Sequence, residues 1–233
     1  GDHLDLHSFP TRRSSDLVGM SYHQPFPPGS ISTGRVGRIA RYAWGQDYHK
    51  VVFKRLKAIT ERLEALYPRE RFHAGVDATP LSEKEYAIQS GIGFMGKNGL
   101  VIHPVFGSCF VLGEILTTRQ FPVGEIRVEP GCPEPCRKCI DVCPTKALYA
   151  PYRIDASRCI SYLTVECADC IPFDLAEKSR DWLFGCDLCQ EVCPYNQKSL
   201  YTKETAFLRH RAGPFQDLEA LLSIESEGFF RNR

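Results

Sequence analysis

The sequence lacks any apolar run approaching the roughly 20 residues that a membrane-spanning helix needs, so we expect no membrane segment. It also lacks a charge excess. The formal net charge at pH 7 is +1, which provides no global basic field for nucleic acid, although a local basic surface stays open. Hydrophobic residues make up 43% and charged residues 24% of the 233 residues, proportions that are typical of a globular protein with one or two domains.

Cysteine is the residue that the chain has in excess. Eleven cysteines occur, most of them in two runs that each end in Cys-Pro. The pattern C-x2-C-x3-C-P spans Cys136–Pro144 and again Cys186–Pro194. Its double occurrence is typical of ferredoxin-type proteins with two [4Fe–4S] clusters, in which the cysteine before the proline binds the other cluster. The spacing therefore predicts one cluster on Cys132, Cys136, Cys139 and Cys193, and a second on Cys159, Cys186, Cys189 and Cys143.

The first gap of this pattern is irregular. Three residues instead of the usual two separate Cys132 from Cys136, and Pro133 stands where a ligand would normally be. Cys132 is still the only nearby candidate. Zinc is an alternative, since paired C-x2-C motifs bind zinc, but a zinc site does not need the C-x3-C-P tail twice. Disulfides fit less well, because we see no secretory signal. The cysteines without an assigned role are Cys109, Cys167 and Cys170.

The first seventeen residues differ from the rest. They read GDHLDLHSFPTRRSSDL, are polar and show no apolar periodicity. Apart from Leu4, they equal the translation of a common short-read sequencing adapter, so we expect residues 1–17 to be a read-assembly artefact joined to a gene fragment. We accordingly expect the chain to lack both native termini.

The remaining chain divides into three parts. Residues 18–121 alternate predicted helices and strands in a mixed domain. Residues 122–200 begin with a linker rich in proline and glycine and contain the cysteine runs, and residues 201–233 begin a truncated helical segment. The predicted elements are a helix over Val51–Leu66, a strand over Phe72–Val76, a helix from Thr79 to about Ser90, strands over Leu100–Ile102 and Phe110–Leu116, and a helical segment from Leu218.

Two features of the first domain have ordinary structural interpretations when each is taken alone. Asp77 precedes Thr79-Pro80, a typical helix start, and would then be a helix cap. The glycine-rich segment Gly91–Asn98 would be a helix-to-strand turn.

Six segments taken together indicate a family more specifically than any one of them does alone. They are Asp77 with Pro80 and Glu83, Gly91–Asn98, Gly107-Ser108, Leu112–Leu116, Cys159–Thr164 and Phe184–Gln190. Together they resemble the epoxyqueuosine reductases, cobalamin-dependent iron–sulfur enzymes of tRNA modification, from about Val18 to the end of the chain. The resemblance implies an α/β (α+β) cobalamin-binding domain fused to a two-[4Fe–4S] ferredoxin-like α+β domain, followed by the start of a helical tail.

The resemblance also implies a reaction and its partners. Epoxyqueuosine in the tRNA anticodon loop would be reduced to queuosine by cobalamin, with electrons relayed through the two clusters. We expect an external electron donor such as flavodoxin or ferredoxin, a monomeric protein and a location in the cytoplasm.

Residue roles follow from the same resemblance. Asp77 matches the proton donor of the family, and expelling an epoxide oxygen as water requires protons. The usual Asp-Thr/Ser-Ala/Gly-Pro motif is Asp77-Ala-Thr-Pro80 here. The implied contacts with cobalamin or the substrate base are Gly96, Lys97, Asn98, Ser108, Ser161 and Tyr162.

Two other functions remain open at this point. The first is a two-cluster ferredoxin-type electron carrier, which would need neither Asp77 nor the Lys97-Asn98 turn. The second is a paralogous cobalamin-dependent reductase that acts on another substrate, which the altered motif after Asp77 and the irregular gap after Cys132 would allow.

Overall fold

The structure is a computed structural model that describes residues 15–27, 35–77, 81–121 and 131–224. Strands and helices alternate along these ranges, and two short 3₁₀ turns occur at Arg41–Ala43 and Ala156–Arg158. In chain order the elements are β1 (Ser15–Ser21), β2 (Val36–Ile39), α1 (Tyr48–Leu66), β3 (Phe72–Gly75), α2 (Glu83–Gln89), β4 (Phe94–Met95), β5 (Val101–Ile102), β6 (Phe110–Thr117), α3 (Lys138–Val142), β7 (Leu148–Ala150), β8 (Arg153–Ile154), α4 (Ile160–Val165), α5 (Phe173–Ser179), β9 (Trp182–Phe184), α6 (Leu188–Glu191), α7 (Pro194–Gln197), α8 (Thr205–Leu208), β10 (Phe215–Asp217) and α9 (Leu218–Leu222).

A three-stranded antiparallel sheet with β6 at its centre forms the core of the first domain. Strands β1 and β3 flank β6, and α1 packs on the sheet. The apolar residues of α1 recur every three or four positions, which places Val52 and Leu56 on one face against β3 and β6. Gly113 in β6 makes this close packing possible, because a Cβ atom there would lie 2.7 Å from the Val52 side chain.

A second sheet joins parts of the chain that are far apart in sequence. Strand β2 is central, β9 runs parallel to it, and β10 runs antiparallel on its other side. The Ala40 amide donates to the Phe184 carbonyl at 2.8 Å, and the Arg38 guanidinium lies 4.2 Å from the centre of the Trp182 ring. The first domain, the cysteine-rich region and the C-terminal segment therefore share one sheet.

The cysteine-rich region consists of short helices and one hairpin. Helix α3 packs against α6, and β7 pairs with β8. Helices of four to six residues are marginal on their own, so their stability must come from packing and from whatever the cysteines bind.

Most of the predicted elements are confirmed, and the mixed α/β fold with them. Helix α1 begins at Tyr48, because Asp47 caps it by accepting from the His49 amide at 3.0 Å. The predicted start of the next helix is wrong: α2 begins at Glu83, with Ser82 at its N-cap. Thr79 and Pro80 lie outside the described residues, as do 122–130 of the predicted linker.

Strand β1 includes the last residues of the segment 1–17. Its pairing with β6 uses main-chain groups, which any sequence can supply, so the adapter origin of residues 1–17 stays a prediction. Residues 1–14 lie outside the described ranges. No described helix is both long and apolar enough to cross a membrane.

Phe207 gives a direct test of how the C-terminal segment contributes to the fold. It lies in α8, is 1% exposed and packs on Tyr22, Val51 and Cys109 of the first domain. Phe207→Ala should lower the free energy of unfolding by about 3–5 kcal/mol, since it removes a ring from a packed core. Phe173→Ala, at a ring that is 81% exposed, should change it by less than about 0.5 kcal/mol in the same denaturant titration. Equal effects would show that residues 205–208 are peripheral to the core.

Candidate active site and cysteine sites

Four cysteines from two separate runs line one small cavity. Its volume is about 20 Å³. Burial raises the pKa of Cys139, and the nearby thiols of Cys132 and Cys136 raise it further. Burial likewise raises the pKa of Cys193, which also interacts with Cys132 and Cys136. The cavity therefore brings together Cys132, Cys136, Cys139 and Cys193.

The other four predicted ligands form a second group. Burial raises the pKa of the Cys186 thiol to about 12, and Cys159 and Cys143 lie near enough to contribute to this shift. Burial also raises the pKa of Cys189 well above its ordinary value, with further contributions from Cys186 and Cys159. Buried thiolates repel one another, so a positively charged group bound among them would stabilise the deprotonated sulfurs.

The main chain at the Cys-Pro end of each run explains why the last cysteine of a run lies apart from the other cysteines of that run. Cys143 follows α3 in an extended conformation, with φ −68° and ψ 109°, and Cys193 precedes α7 with φ −72° and ψ 124°. Among the described residues, no three potential ligand side chains converge on one point as a single metal ion requires. A four-iron cluster has a different requirement, because each of its irons takes its own thiolate.

Lys97 and Asn98 lie on the wall of the first cysteine cavity. The Lys97 ammonium is buried and lies within 3.0 Å of the carbonyl oxygens of Pro133, Glu134 and Cys136. Asn98 accepts from the Leu100 amide, while its buried Nδ2 finds no acceptor in the described part of the chain. The preceding residue of this turn, Gly96, is also buried.

Ser108 belongs to a buried hydrogen-bond network between the first domain and the cysteine-rich region. Its amide donates to Asn196 Oδ1 at 2.6 Å, and its hydroxyl donates to Gln190 Oε1 at 3.0 Å. Asn196 Nδ2 donates to the Ser108 hydroxyl in turn, at 3.0 Å. Ser161 and Tyr162 lie in α4, where Tyr162 is 42% exposed. The interpretation of these residues as cofactor contacts stays a prediction.

A much larger cleft of about 1170 Å³ lies beside the shared sheet. Its walls come from the end of β2 and the segment that follows it, the start of α1, the end of α4, strand β9, the segment 211–216 and α9. Tyr42 and Phe184 supply aromatic surface, while Lys50 and Arg211 supply positive charge. Asp77 lies on the same cleft. A concave site with a mainly apolar lining and a few polar groups is typical of small-molecule binding.

The carboxylate of Asp77 is held at the edge of this cleft by the start of α1. Tyr48 donates its hydroxyl proton to Asp77 Oδ2, and His49 Nε2 lies 3.5 Å from the same oxygen. The Asp77 side chain is 45% exposed, so a bound molecule can reach it. Burial, together with this hydrogen bond, raises the pKa of Tyr48 far above its ordinary value, so Tyr48 stays a proton donor throughout the physiological range.

Two glutamates lie behind Asp77. Glu83 Oε1 accepts from the Asp77 amide at 3.1 Å, and Glu114, which is 1% exposed in β6, is hydrogen-bonded to Glu83. Burial raises the pKa of Glu83 from 4.5 to about 7, with further contributions from Glu114 and Asp77. The Glu83 carboxyl group therefore holds a proton up to about neutral pH.

Tyr48 and His49 were not predicted as site residues. In the sequence they lie just before the predicted helix Val51–Leu66. Nothing local connects them to Asp77, which is 29 positions after Tyr48. Glu83 appears in the resemblance, but its interaction with Glu114 depends on sheet geometry.

Glu83→Gln tests the carboxyl group behind Asp77. The folded state binds this proton more tightly than the unfolded chain, so the free energy of unfolding should fall as pH rises from 4.5 through about 7. Glutamine cannot ionise, and the variant should lose this part of the pH dependence in anaerobic denaturant titrations. Glu85→Gln, at an exposed position of the same helix, serves as the control and should keep the wild-type profile. Identical profiles for wild type and Glu83→Gln would rule out the raised pKa.

Comparison with known proteins gives the chain its family. The model of "epoxyqueuosine reductase QueG, DUF1730" matches residues 7–78, and that of "4Fe-4S double cluster binding domain" matches residues 132–196. The epoxyqueuosine reductase of Pseudomonas aeruginosa is 37% identical over 97% of this chain and 66% of the relative. That of Synechocystis sp. is 37% identical over 92% of this chain and 74% of the relative.

A solved structure agrees with these relatives. The crystal structure of an epoxyqueuosine reductase with an epoxyqueuosine-modified tRNA stem loop has a TM-score of 0.82 and 31% identity, over 94% of this chain and 57% of that one. The chain thus spans between about half and three quarters of the length of the proteins that it matches. The cysteine pattern, the fold and the sequence identity agree that this chain belongs to the epoxyqueuosine reductase family and contains a 4Fe-4S double cluster binding domain.

Proposed function

We propose that the protein containing this chain reduces epoxyqueuosine to queuosine in the anticodon loop of tRNA. The observation that carries the proposal is the placement of Asp77, on a cleft of about 1170 Å³, in the same fold as two separate groups of four cysteines. A two-cluster electron carrier would have no use for a carboxylate held on such a cleft by a tyrosine, a histidine and a glutamate. A relative whose structure includes a modified tRNA stem loop supports the choice of substrate.

The two cysteine groups are the proposed cluster ligands. Cys132, Cys136, Cys139 and Cys193 would bind one [4Fe–4S] cluster, and Cys143, Cys159, Cys186 and Cys189 the other. Asn98 supports the first assignment, because a cluster sulfur would accept the hydrogen bond that its buried Nδ2 lacks in the described protein.

Cobalamin, which is larger than most drugs, fits the large cleft by its size and by its mainly apolar lining. Pockets for drug-sized ligands measure about 300–1,000 Å³, and this cleft measures about 1170 Å³. When bound, cobalamin would supply the cobalt-centred reductant, and the clusters would supply its electrons. Residues 18–121 would then be the cobalamin-binding domain, 122–200 the ferredoxin-like domain, and 201–233 the beginning of a helical tail. We further propose that an external flavodoxin or ferredoxin donates the electrons, that the protein is a monomer and that it works in the cytoplasm.

The residues around Asp77 would manage the protons. Converting an epoxide to an alkene takes up two electrons and two protons, breaks both carbon–oxygen bonds and releases the oxygen as water. Asp77 would donate a proton to the leaving oxygen. Tyr48 and His49 orient its carboxylate, and Glu83 holds its main-chain amide. Lys50 and Arg211 on the cleft wall would attract the negatively charged tRNA backbone.

Anaerobic reconstitution followed by reduction of epoxyqueuosine-containing tRNA tests the whole proposal. We expect about eight iron and about eight sulfide per chain, and conversion of the modified base. Stoichiometric zinc without sulfide would refute the cluster assignment, while intact clusters without conversion would favour an electron carrier or a reductase with another substrate.

Cys193→Ala tests the crossed ligand pairing. It should damage the cluster of the first cysteine run and leave that of its own run intact, because Cys193 lines the cavity with Cys132. Spectroscopy that resolves the two clusters measures the loss, which should be about half of the iron. Cys170→Ala, at an exposed cysteine outside both groups, should retain both clusters. Loss of only the second cluster in Cys193→Ala would contradict the pairing.

Asp77→Asn tests the proton donor. Asparagine has nearly the same size and tolerates the positive φ of 51° at this position, but it has no acidic proton. Turnover of epoxyqueuosine tRNA should fall roughly 10²–10⁴-fold while cluster content and cobalamin binding are unchanged. Asp174→Asn, at a carboxylate that is 65% exposed in α5, is the control and should keep wild-type turnover. Full turnover with Asn at position 77 would leave the mechanism without its acid.

A further inference from the structure

Lys97 is a buried cation that faces the main chain of the first cysteine loop. It lies in the turn between β4 and β5 and is 7% exposed. Its Nζ lies 2.9 Å from the Pro133 carbonyl oxygen, 2.5 Å from that of Glu134 and 3.0 Å from that of Cys136. A lysine ammonium has three N–H donors, so these carbonyls account for all of them. No donor is left for a ligand in the large cleft.

The three carbonyls belong to the irregular part of the cysteine motif. The gap between Cys132 and Cys136 contains one residue more than the usual pattern and includes two prolines, which have no N–H to donate. Within this gap the Cys136 amide donates to the Pro133 carbonyl at 3.0 Å. The longer loop therefore has more main-chain acceptors than donors, and Lys97 supplies the missing donors from another part of the fold.

The position of this charge also matters for electron transfer. Lys97 lines the same cavity as Cys132, Cys136, Cys139 and Cys193. Carbonyl dipoles stabilise a buried ammonium without neutralising it. A cluster held by four thiolates carries net negative charge, which grows when the cluster takes up one electron. A nearby fixed cation stabilises the reduced form more than the oxidised form, and net charge and hydrogen bonding are the properties that set cluster potentials.

We propose that Lys97 is the positioning residue of the first cluster. It clamps the widened Cys132–Cys136 loop in a shape in which both cysteines can bind, and its charge raises the reduction potential of the cluster in that cavity. This inference rests on the ligand set proposed above, and it gives Lys97 a structural and electrostatic role in place of a contact with cobalamin.

Two substitutions separate the clamp from the charge. Lys97→Met keeps most of the apolar stem and removes both hydrogen bonding and charge, so the reconstituted chain should lose about half of its iron and sulfide, all from one cluster. Lys97→Gln keeps an N–H donor without the charge. It should retain more iron than Lys97→Met, and one of its two clusters should titrate at a lower potential than in wild type, followed by electron paramagnetic resonance with dithionite as reductant.

Lys84→Met is the matched control. Lys84 also donates to a main-chain carbonyl, that of Gly99 at 3.0 Å, but it is exposed and lies outside the cavity. It should keep both clusters and both potentials. Full iron content in Lys97→Met would overturn the clamp, and unchanged potentials in Lys97→Gln would overturn the role of the charge. Equal damage to both clusters in Lys97→Met would also overturn the proposal, since it would show a general folding defect. If wild type itself bound no cluster, the ligand assignment would fail, and this inference with it.

Discussion

The buried carboxylate of Asp187 is the constraint on which the arrangement of the molecule depends. It lies between Cys186 and Cys189, is 2% exposed, and accepts from the Arg41 amide at 2.8 Å and from the Arg41 guanidinium at 3.4 Å. Burial raises the pKa of Asp187 to about 6, while Arg41 opposes that rise. Breaking a buried pair of this kind typically costs about 3–5 kcal/mol, so the second cysteine run and the first domain are strongly held together.

That attachment is extended by the shared sheet and by the Ser108 network. Strand β9 pairs with β2 immediately before Cys186, and Gln190 and Asn196, which follow in the same run, bond to Ser108. The described part of the cysteine-rich region is therefore packed against the rest of the chain through hydrogen bonds and strand pairing. Its second half is part of the wall of the large cleft, which includes Phe184. Such packing would keep a fixed distance between the second cysteine group and a molecule bound in that cleft.

The parts of this structure that could be predicted are those encoded by local periodicity. The 3–4 spacing in Val52–Leu66 predicted α1, and the apolar run from Phe110 predicted β6, because short-range spacing alone decides which residues share a face. The cysteine spacing predicted that Cys193 lies near Cys132, Cys136 and Cys139, and these four line one cavity, while their role as cluster ligands stays a prediction. Pairings between distant segments could not be predicted: β2 with β9 and β10, Tyr48 with Asp77, and Lys97 with the Cys132–Cys136 loop. Each depends on tertiary geometry that no local pattern records. The contact of Lys97 and Asn98 with cobalamin, which the resemblance implies, stays a prediction.

Asp77 combines an uncommon main-chain conformation with a position on the large cleft. Its φ of 51° lies in the left-handed region, which residues other than glycine seldom adopt and which aspartate and asparagine tolerate best among them. A helix cap would not need this conformation, and α2 has Ser82 at its own N-cap. With this conformation just after β3, the carboxylate meets Tyr48 and His49 on the cleft, while Glu83 Oε1 accepts from the Asp77 amide. Tyr48, His49 and Glu83 hold Asp77 in this uncommon conformation, and such conformations cluster at ligand-binding and active sites.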